Sequence, residues 1–136
     1  MSIQQRDAAI VGIHEFPSRD VEGELSPLHI KAESASKALA DAGLTWSDVD
    51  GIYDAGEGGA SGLTIAEYFG LSPTVIDTTN VGGSSYQFHA AHARRAIAAG
   101  KARVALLTYG STAHSNVARI GTGGRGMGGY PADNLE

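Results

Sequence analysis

Short apolar runs rich in β-branched residues alternate along this chain with longer segments whose apolar residues recur every three or four positions. The short runs are bounded by glycine or turn residues and predict buried strands at residues 8–13, 48–53, 74–79 and 103–109. The longer segments predict helices at residues 26–42, 64–69 and 84–99. The order is βαβαβαβ, and because crossover helices join parallel strands, it predicts an α/β fold with a mixed, mostly parallel sheet.

The two long helices have recognisable ends and faces. Ser26 is suited to cap the first helix, Pro27 to its first turn, and Gly43 to the left-handed residue that ends it. Helical spacing predicts a buried face in each of them. These faces are Leu28, Ala32, Ala35, Leu39 and Ala42 in the first helix, and Tyr86, Ala90, Ala93 and Ile97 in the second.

Composition narrows the classes of function. Fifteen acidic residues against ten basic ones give a net charge of −5, which argues against a nucleic-acid partner because phosphate binding needs clustered basic residues. The chain has no cysteine, which excludes disulfides, thiolate metal sites and a cysteine nucleophile. No apolar run is long enough to span a bilayer, and the polar start lacks the features of a signal peptide. We therefore expect a cytoplasmic protein without membrane insertion.

The segment between the third strand and the second long helix carries the candidate chemistry. The backbone turns through Gly82 and Gly83, and a helix is predicted to begin at Ser84. The first N–H groups of a helix, with the positive end of its dipole, suit an oxyanion, a phosphate or an activated nucleophile. A tight strand-to-helix turn with Ser84 as a simple N-cap is the alternative that local sequence leaves open.

Five segments in register carry a resemblance to a known family. They are residues 8–12 (AAIVG), 34–43 (SASKALADAG), 48–51 (DVDG), 74–88 (TVIDTTNVGGSSYQF) and 96–107 (AIAAGKARVALL). Together, over about residues 8–110, they resemble the first half of a thiolase. The chain is most similar to the sterol-carrier-protein and nonspecific lipid-transfer-protein branch of that superfamily.

The resemblance implies a site without its nucleophile. Active thiolases open the corresponding helix with a pattern like Asn-x-x-Cys-x-Ser-Gly, and alignment on Asn80 puts the cysteine position at Gly83. Glycine cannot be acylated, so thiolase-type covalent catalysis is not available. Ser84 is the candidate substitute, but a serine hydroxyl needs a positioned base. The hydrolase motif G-x-S-x-G also fails here, because Tyr86 takes its last place. The substrate-binding residues implied by the resemblance are Asn80, Gly82, Ser85 and Tyr86.

The resemblance also implies a function. It points to an acyl-CoA-handling protein, and most directly to a component of a retro-aldolase that cleaves a β-hydroxyacyl-CoA with a small OB-fold partner protein. Acyl-CoA would be substrate or ligand, with no covalently bound cofactor, and the base would lie in a second half. A non-catalytic acyl-CoA or lipid-binding module, or an inactive thiolase fragment, is the alternative. Thiolases dimerise through their third strand, which implies contacts at Asp77, Thr78 and Thr79.

The C-terminal stretch is expected to begin a separate part of the protein. The resemblance divides the chain into a domain at residues 1–112 and the glycine-rich, incomplete start of a loop domain at 113–136, where Arg125 is a candidate contact for a CoA phosphate. Residues 121–126 fit G-x-G-x-x-G but lack the strand and helix that a dinucleotide site requires.

His89 and His92 are three apart on a helix without an evident third ligand, so no metal site is predicted.

Overall fold

Three short parallel strands form the sheet of the computed structural model, which describes residues 8–18, 21, 25–59 and 61–112. The strands are β1 (Gly51–Tyr53), β2 (Val75–Asp77) and β3 (Ala105–Leu107), in the order β2-β1-β3. Ile52 of β1 pairs with Ile76 on one side and with Leu106 on the other. The predicted α/β class with parallel strands is confirmed in this part of the chain.

Three helices accompany these strands. α1 (Pro27–Asp41) precedes β1, α2 (Gly62–Phe69) connects β1 to β2, and α3 (Ser85–Ala98) connects β2 to β3, with 3-10 turns at Trp46–Asp48 and Glu57–Gly59. The predicted start of α1 is correct, since the Ser26 hydroxyl accepts a hydrogen bond from the His29 N–H at 3.1 Å. Gly43 takes a positive φ of 69° just beyond the end of the helix, as its position predicted.

The sheet lies between α1 and α2 on one face and α3 on the other. Side chains alternate between the two faces of a strand. Ile52 accordingly belongs to the core that α1 and α2 cover, whereas its neighbour Tyr53 contacts His89 of α3. The buried core on the first face contains Ala35, Leu39, Val49, Ile52, Ile65, Ala66 and Leu106.

Two aspartates fasten β1 to β3, one at each end of β1. Asp50 precedes the strand and accepts hydrogen bonds from the backbone N–H groups of Arg103 and Val104, at 2.9 and 2.8 Å from its Oδ1. Asp54 follows the strand and accepts a bond of 2.6 Å from the Thr108 hydroxyl. Side chains therefore support the pairing at both ends of a strand of only three residues.

The strand predicted at residues 8–13 is wrong. This run forms no regular element, and Ile10 and Ile13 are 88% and 74% exposed. It lies beside the C-terminal end of α1, where the Ile13 N–H donates to the Asp41 carboxylate at 3.1 Å and a Cβ at Gly12 would overlap a carbonyl oxygen of the helix. Both sides of β1 are occupied, so only an outer edge of β2 or β3 could have accepted this run.

The buried face predicted for α3 is also largely wrong. The buried residues are Ser85, His89, Ala93 and Ala96, so of the predicted set only Ala93 is buried, and Ala90 is exposed. Ser85 and His89 turn inward because their side chains hydrogen-bond to the segment before the helix. α3 begins at Ser85, one residue later than predicted.

Several expectations lie outside the described residues. These are the proposed loop domain at 113–136 with its glycine-rich 121–126 stretch and Arg125. In the part of the chain that is described, no helix has the length and apolar character needed to cross a bilayer.

Candidate functional site

The turn between β2 and α3 is braced by Asn80. Its Nδ2 donates to the Ala55 carbonyl at 2.9 Å, and its Oδ1 accepts from the Gly82 N–H at 3.0 Å. Asn80 therefore ties the turn to the segment that follows β1. The structure assigns this predicted substrate-binding residue a positioning role within the fold.

Ser85 closes the turn from inside. Its hydroxyl donates to the Gly82 carbonyl at 2.6 Å and accepts from the Val81 N–H at 3.0 Å, and the residue is fully buried. Gly82 itself has a φ of 74°, a conformation that favours glycine. These contacts hold the predicted substrate-binding residues Gly82 and Ser85 to each other.

Gly83 and Ser84 form the exposed crest of the turn. A Cβ built on Gly83 meets no atom within 4 Å, so the turn has room for a side chain at the position where a thiolase holds cysteine. Ser84 is the N-cap residue, but its side chain makes no capping hydrogen bond. Gly83 forms an isolated backbone bridge with Val81, and among the described residues neither the Gly83 nor the Ser84 N–H donates a hydrogen bond of good geometry. Both residues are exposed and directly precede the positive end of a helix of 14 residues.

Tyr86 stands beside the turn as a neutral hydrogen-bond donor. Its hydroxyl donates to the Glu57 carboxylate at 2.7 Å, and its ring meets those of His89 and Tyr109 edge-on. Burial and the bond to Glu57 raise the pKa of the Tyr86 phenol. Tyr86 thereby joins the start of α3 to the 3-10 turn at Glu57–Gly59.

A fully buried ion pair also contacts the 3-10 turn at Glu57–Gly59. The Lys31 ammonium lies 2.8 Å from the Asp54 carboxylate, and neither side chain is exposed. Lys31 also donates to the Glu57 carbonyl at 2.9 Å, while Asp54 accepts from the Gly56 N–H at 2.7 Å. This cluster lies at the carboxyl ends of β1 and β3, the edge at which ligands bind in parallel sheets.

The Lys31–Asp54 pair was not predicted from the sequence, although the position of Lys31 contains a signal for it. Lys31 lies four residues before Ala35 and eight before Leu39, both of which are buried. A lysine in register with a buried helical stripe indicates a buried partner, because an unpaired ammonium is costly to bury.

The two histidines of α3 have separate partners. The Nε2 of His89 lies 2.9 Å from the Thr79 carbonyl, which can only accept, so this nitrogen carries the hydrogen; the buried Nδ1 has no partner among the described residues. His92 lies 2.6 Å from the Asp77 carboxylate. In the described part of the chain, no three histidine and acidic side chains converge on a possible metal position.

The residues predicted to contact a second subunit lie at an edge of the sheet. β2 is an outer strand of the described sheet. Asp77 accepts hydrogen bonds from the N–H and the hydroxyl of Thr79, at 2.8 and 2.6 Å, and Thr78 is exposed. The dimer contact itself stays a prediction.

Comparison of the chain with protein-family models and with curated proteins finds no match in either. On the contacts described above, the candidate site consists of the turn at residues 80–86 and the hydrogen-bonded groups that hold it.

Proposed function

We propose that this chain belongs to the thiolase superfamily, as part of a lipid-transfer-protein-type protein that handles acyl-CoA without a thiol nucleophile. We further propose that it contributes to a retro-aldolase acting on a β-hydroxyacyl-CoA. One observation carries this proposal: the exposed residues Gly83 and Ser84 directly precede α3, at the position where the resemblance places the family's reactive cysteine.

Retro-aldol cleavage needs hydrogen-bond donors, rather than a nucleophile, beside the thioester of the substrate. A base removes the proton of the β-hydroxyl, the Cα–Cβ bond breaks to release a carbonyl compound, and the bonding electrons form a thioester enolate. Backbone N–H groups aimed at the enolate oxygen stabilise that charge. No bond to the protein forms, so a glycine at position 83 is compatible with the reaction. The base is assigned to a part of the protein outside the described residues.

The same proposal includes the assembly of the protein. A thiolase-like half-fold is supported by the parallel sheet and by the placement of the turn between β2 and α3. A homodimer through β2 is supported by the position of β2 at the sheet edge. A small OB-fold partner and a cytoplasmic location follow from the resemblance.

Acyl-CoA binding tests the site. Calorimetry with a β-hydroxyacyl-CoA would compare the unmodified chain with Gly83→Val and with Ala90→Val on the exposed face of α3. The Cβ of Gly83→Val meets no atom within 4 Å, and we expect its methyl groups to restrict access to the neighbouring N–H groups. We expect Gly83→Val to weaken binding by at least about tenfold, the equivalent of one charge-assisted hydrogen bond, and Ala90→Val to leave it unchanged. Equal binding by all three proteins would refute this site.

Product analysis separates the enzyme from the binding module. Release of a shorter acyl-CoA and a carbonyl compound, with the full protein and its OB-fold partner present, supports the retro-aldolase. Binding without cleavage under those conditions supports the non-catalytic module. A mass increase of the unmodified chain after incubation with acyl-CoA, lost in Ser84→Ala, would instead assign acyl transfer to Ser84.

A cysteine-free chain offers a direct probe of the turn's electrostatics. The thiol of Gly83→Cys would be the only one present, and a helix N-terminus lowers a thiol pKa. We expect its alkylation rate to rise at lower pH than that of Ala98→Cys, which places a thiol at the opposite, exposed end of α3. The same pH profile for both thiols would contradict the proposed electrostatic effect of the start of α3 on position 83.

A further inference from the structure

The Glu57 side chain lies beside the turn at residues 80–86 and is connected to both ends of it. Tyr86, in the first turn of α3, donates its hydroxyl hydrogen to the Glu57 Oε2 at 2.7 Å. Asn80, at the start of the turn, donates to the carbonyl of Ala55, two residues before Glu57, at 2.9 Å. Two separate hydrogen bonds therefore place the segment that carries Glu57 next to the candidate site.

The backbone that carries this side chain is fixed as well. The buried Lys31 donates to the Glu57 carbonyl at 2.9 Å, and the preceding Gly56 N–H donates to Asp54 at 2.7 Å. A binding group that is already held in place loses less conformational freedom when a ligand arrives. The Glu57 carboxylate, held by Tyr86, is such a preorganised group.

One oxygen of this carboxylate is accessible and has no partner among the described residues. Tyr86 bonds to Oε2, whereas Oε1 makes no hydrogen bond there and still is not one of the buried unpartnered polar atoms. A carboxylate oxygen accepts hydrogen bonds and cannot donate them. Burial and the bond to Glu57 raise the pKa of the Tyr86 phenol, so Tyr86 keeps its hydrogen. The ligand group that meets Oε1 must therefore be an N–H or an O–H.

The identity of that group rests on the proposed function, in which an acyl-CoA thioester lies against the turn. Near its thioester, a β-hydroxyacyl-CoA carries two hydrogen-bond donors: the β-hydroxyl and the amide N–H of the cysteamine unit, which two methylene groups join to the sulfur. The hydroxyl gives its proton to the base during cleavage. The amide N–H is on the other side of the thioester and has no partner in that scheme. A carboxylate is a strong acceptor for it, because charge-assisted hydrogen bonds are shorter and stronger than neutral ones.

We propose that Glu57 is a substrate-binding residue that accepts a hydrogen bond from the cysteamine N–H of the CoA arm. Tyr86 follows Gly83 by less than one helical turn, a rise of about 5 Å, so one CoA arm spans from Gly83 to the carboxylate. The bond orients the thioester carbonyl toward the N–H groups of Gly83 and Ser84. Tyr86 and Lys31 act through Glu57 as positioning residues.

Two truncated thioesters of the same β-hydroxyacyl group test the proposal on the unmodified chain. One is the N-acetylcysteamine thioester, which has the amide, and the other is the S-(2-acetoxyethyl) thioester, which has an oxygen atom in place of the N–H. Dissociation constants from amide NMR titrations should favour the first by at least about tenfold, the equivalent of one hydrogen bond to a charged group. Glu57→Ala should abolish this preference. Glu67→Ala, at an exposed position of α2, is the matched control and should keep it.

The ratio of the two dissociation constants separates recognition from a structural role. If Glu57 only supports the turn, Glu57→Ala weakens both thioesters by the same factor and leaves the ratio unchanged, which overturns the proposal. Tyr86→Phe retains the carboxylate, so it should weaken binding and still leave a preference for the amide. Complete loss of the preference in Tyr86→Phe but not in Glu57→Ala would assign the amide to Tyr86 instead.

The remaining outcomes distinguish this proposal from the proposed function. Equal binding of the two thioesters by the unmodified chain overturns the role of Glu57 and leaves acyl-CoA binding standing. Binding of the complete β-hydroxyacyl-CoA, with neither truncated thioester bound at millimolar concentration, would place recognition on the nucleotide part of CoA and also overturn it. If the complete acyl-CoA does not bind either, the proposed function and the role of Glu57 fail together.

Discussion

The buried pair of Lys31 and Asp54 makes a sharp prediction about stability. Lys31→Met removes the ammonium but keeps most of the side-chain volume, and it leaves a carboxylate that has no exposed surface. Breaking a buried ion pair from one side costs about 3–5 kcal/mol. Asp54 keeps its bonds from Gly56 and Thr108, so we expect a loss near 3 kcal/mol in the free energy of unfolding. A domain is typically stable by only about 5–15 kcal/mol.

The assay is urea unfolding followed by circular dichroism, with the free energy taken from the midpoint and the slope. Lys37→Met is the control, because Lys37 is on the same helix and makes an exposed ion pair of 2.6 Å with Glu33; such pairs contribute about 0–1 kcal/mol. The double variant Lys31→Met/Asp54→Asn leaves no buried charge and should recover most of the lost stability.

Equal losses in Lys31→Met and Lys37→Met would refute this reasoning. A double variant less stable than Lys31→Met would also refute it, because the reasoning requires that removing the unpaired carboxylate charge restores stability.

Three further predictions concern the turn, the N-terminal segment and pH. Asn80→Ala removes both hydrogen bonds that brace the turn and should lower the free energy of unfolding by about 1–3 kcal/mol in the same urea assay; no loss would show that the brace is dispensable. Gly12→Ala places a methyl group against the Ala38 carbonyl, so hydrogen exchange of residues 8–16 should accelerate while the strands keep their protection. Burial disfavours the charged form of Asp77, but hydrogen bonds, including one from His92, outweigh it and hold its pKa below the usual 3.8. The resulting stabilisation is present above pH 4 and is lost as the pH falls through the lowered pKa, so Asp77→Asn should show a shallower loss of stability on acidification than the unmodified chain.

The fold of the described part was largely predictable because most of its signals are local. Helix ends follow from single residues such as Ser26 and Gly43, and strand positions follow from runs of β-branched residues. The run at residues 8–13 carries the same signal and forms no strand. Apolar composition indicates the preference of a segment, whereas strand formation also requires an edge to pair with, and that edge is a property of the whole sheet.

The candidate site was predictable in its position and less so in its roles. The glycine turn and the following helix were placed within one residue. Ser84 takes the N-cap position but makes no side-chain capping bond, and the hydrogen bonds by which Ser85 holds the turn were not predicted. Two neighbouring residues of one type can exchange such roles with a small change in backbone angle, which a sequence pattern does not specify. The Lys31–Asp54 pair spans 23 positions, so its two members meet only after the chain has folded.

The aspartates at the two ends of β1 bear on how this sheet assembles. Each bonds to a residue 53 or 54 positions later in the chain. A slip of one residue between β1 and β3 would reverse the faces of the side chains and separate both aspartates from their donors at once. Alignment of these strands is thus confirmed only after a long loop has closed, and such non-local closure slows folding. Nascent chains that end before Arg103 can pair β1 with β2, but they lack the residues that align β1 with β3.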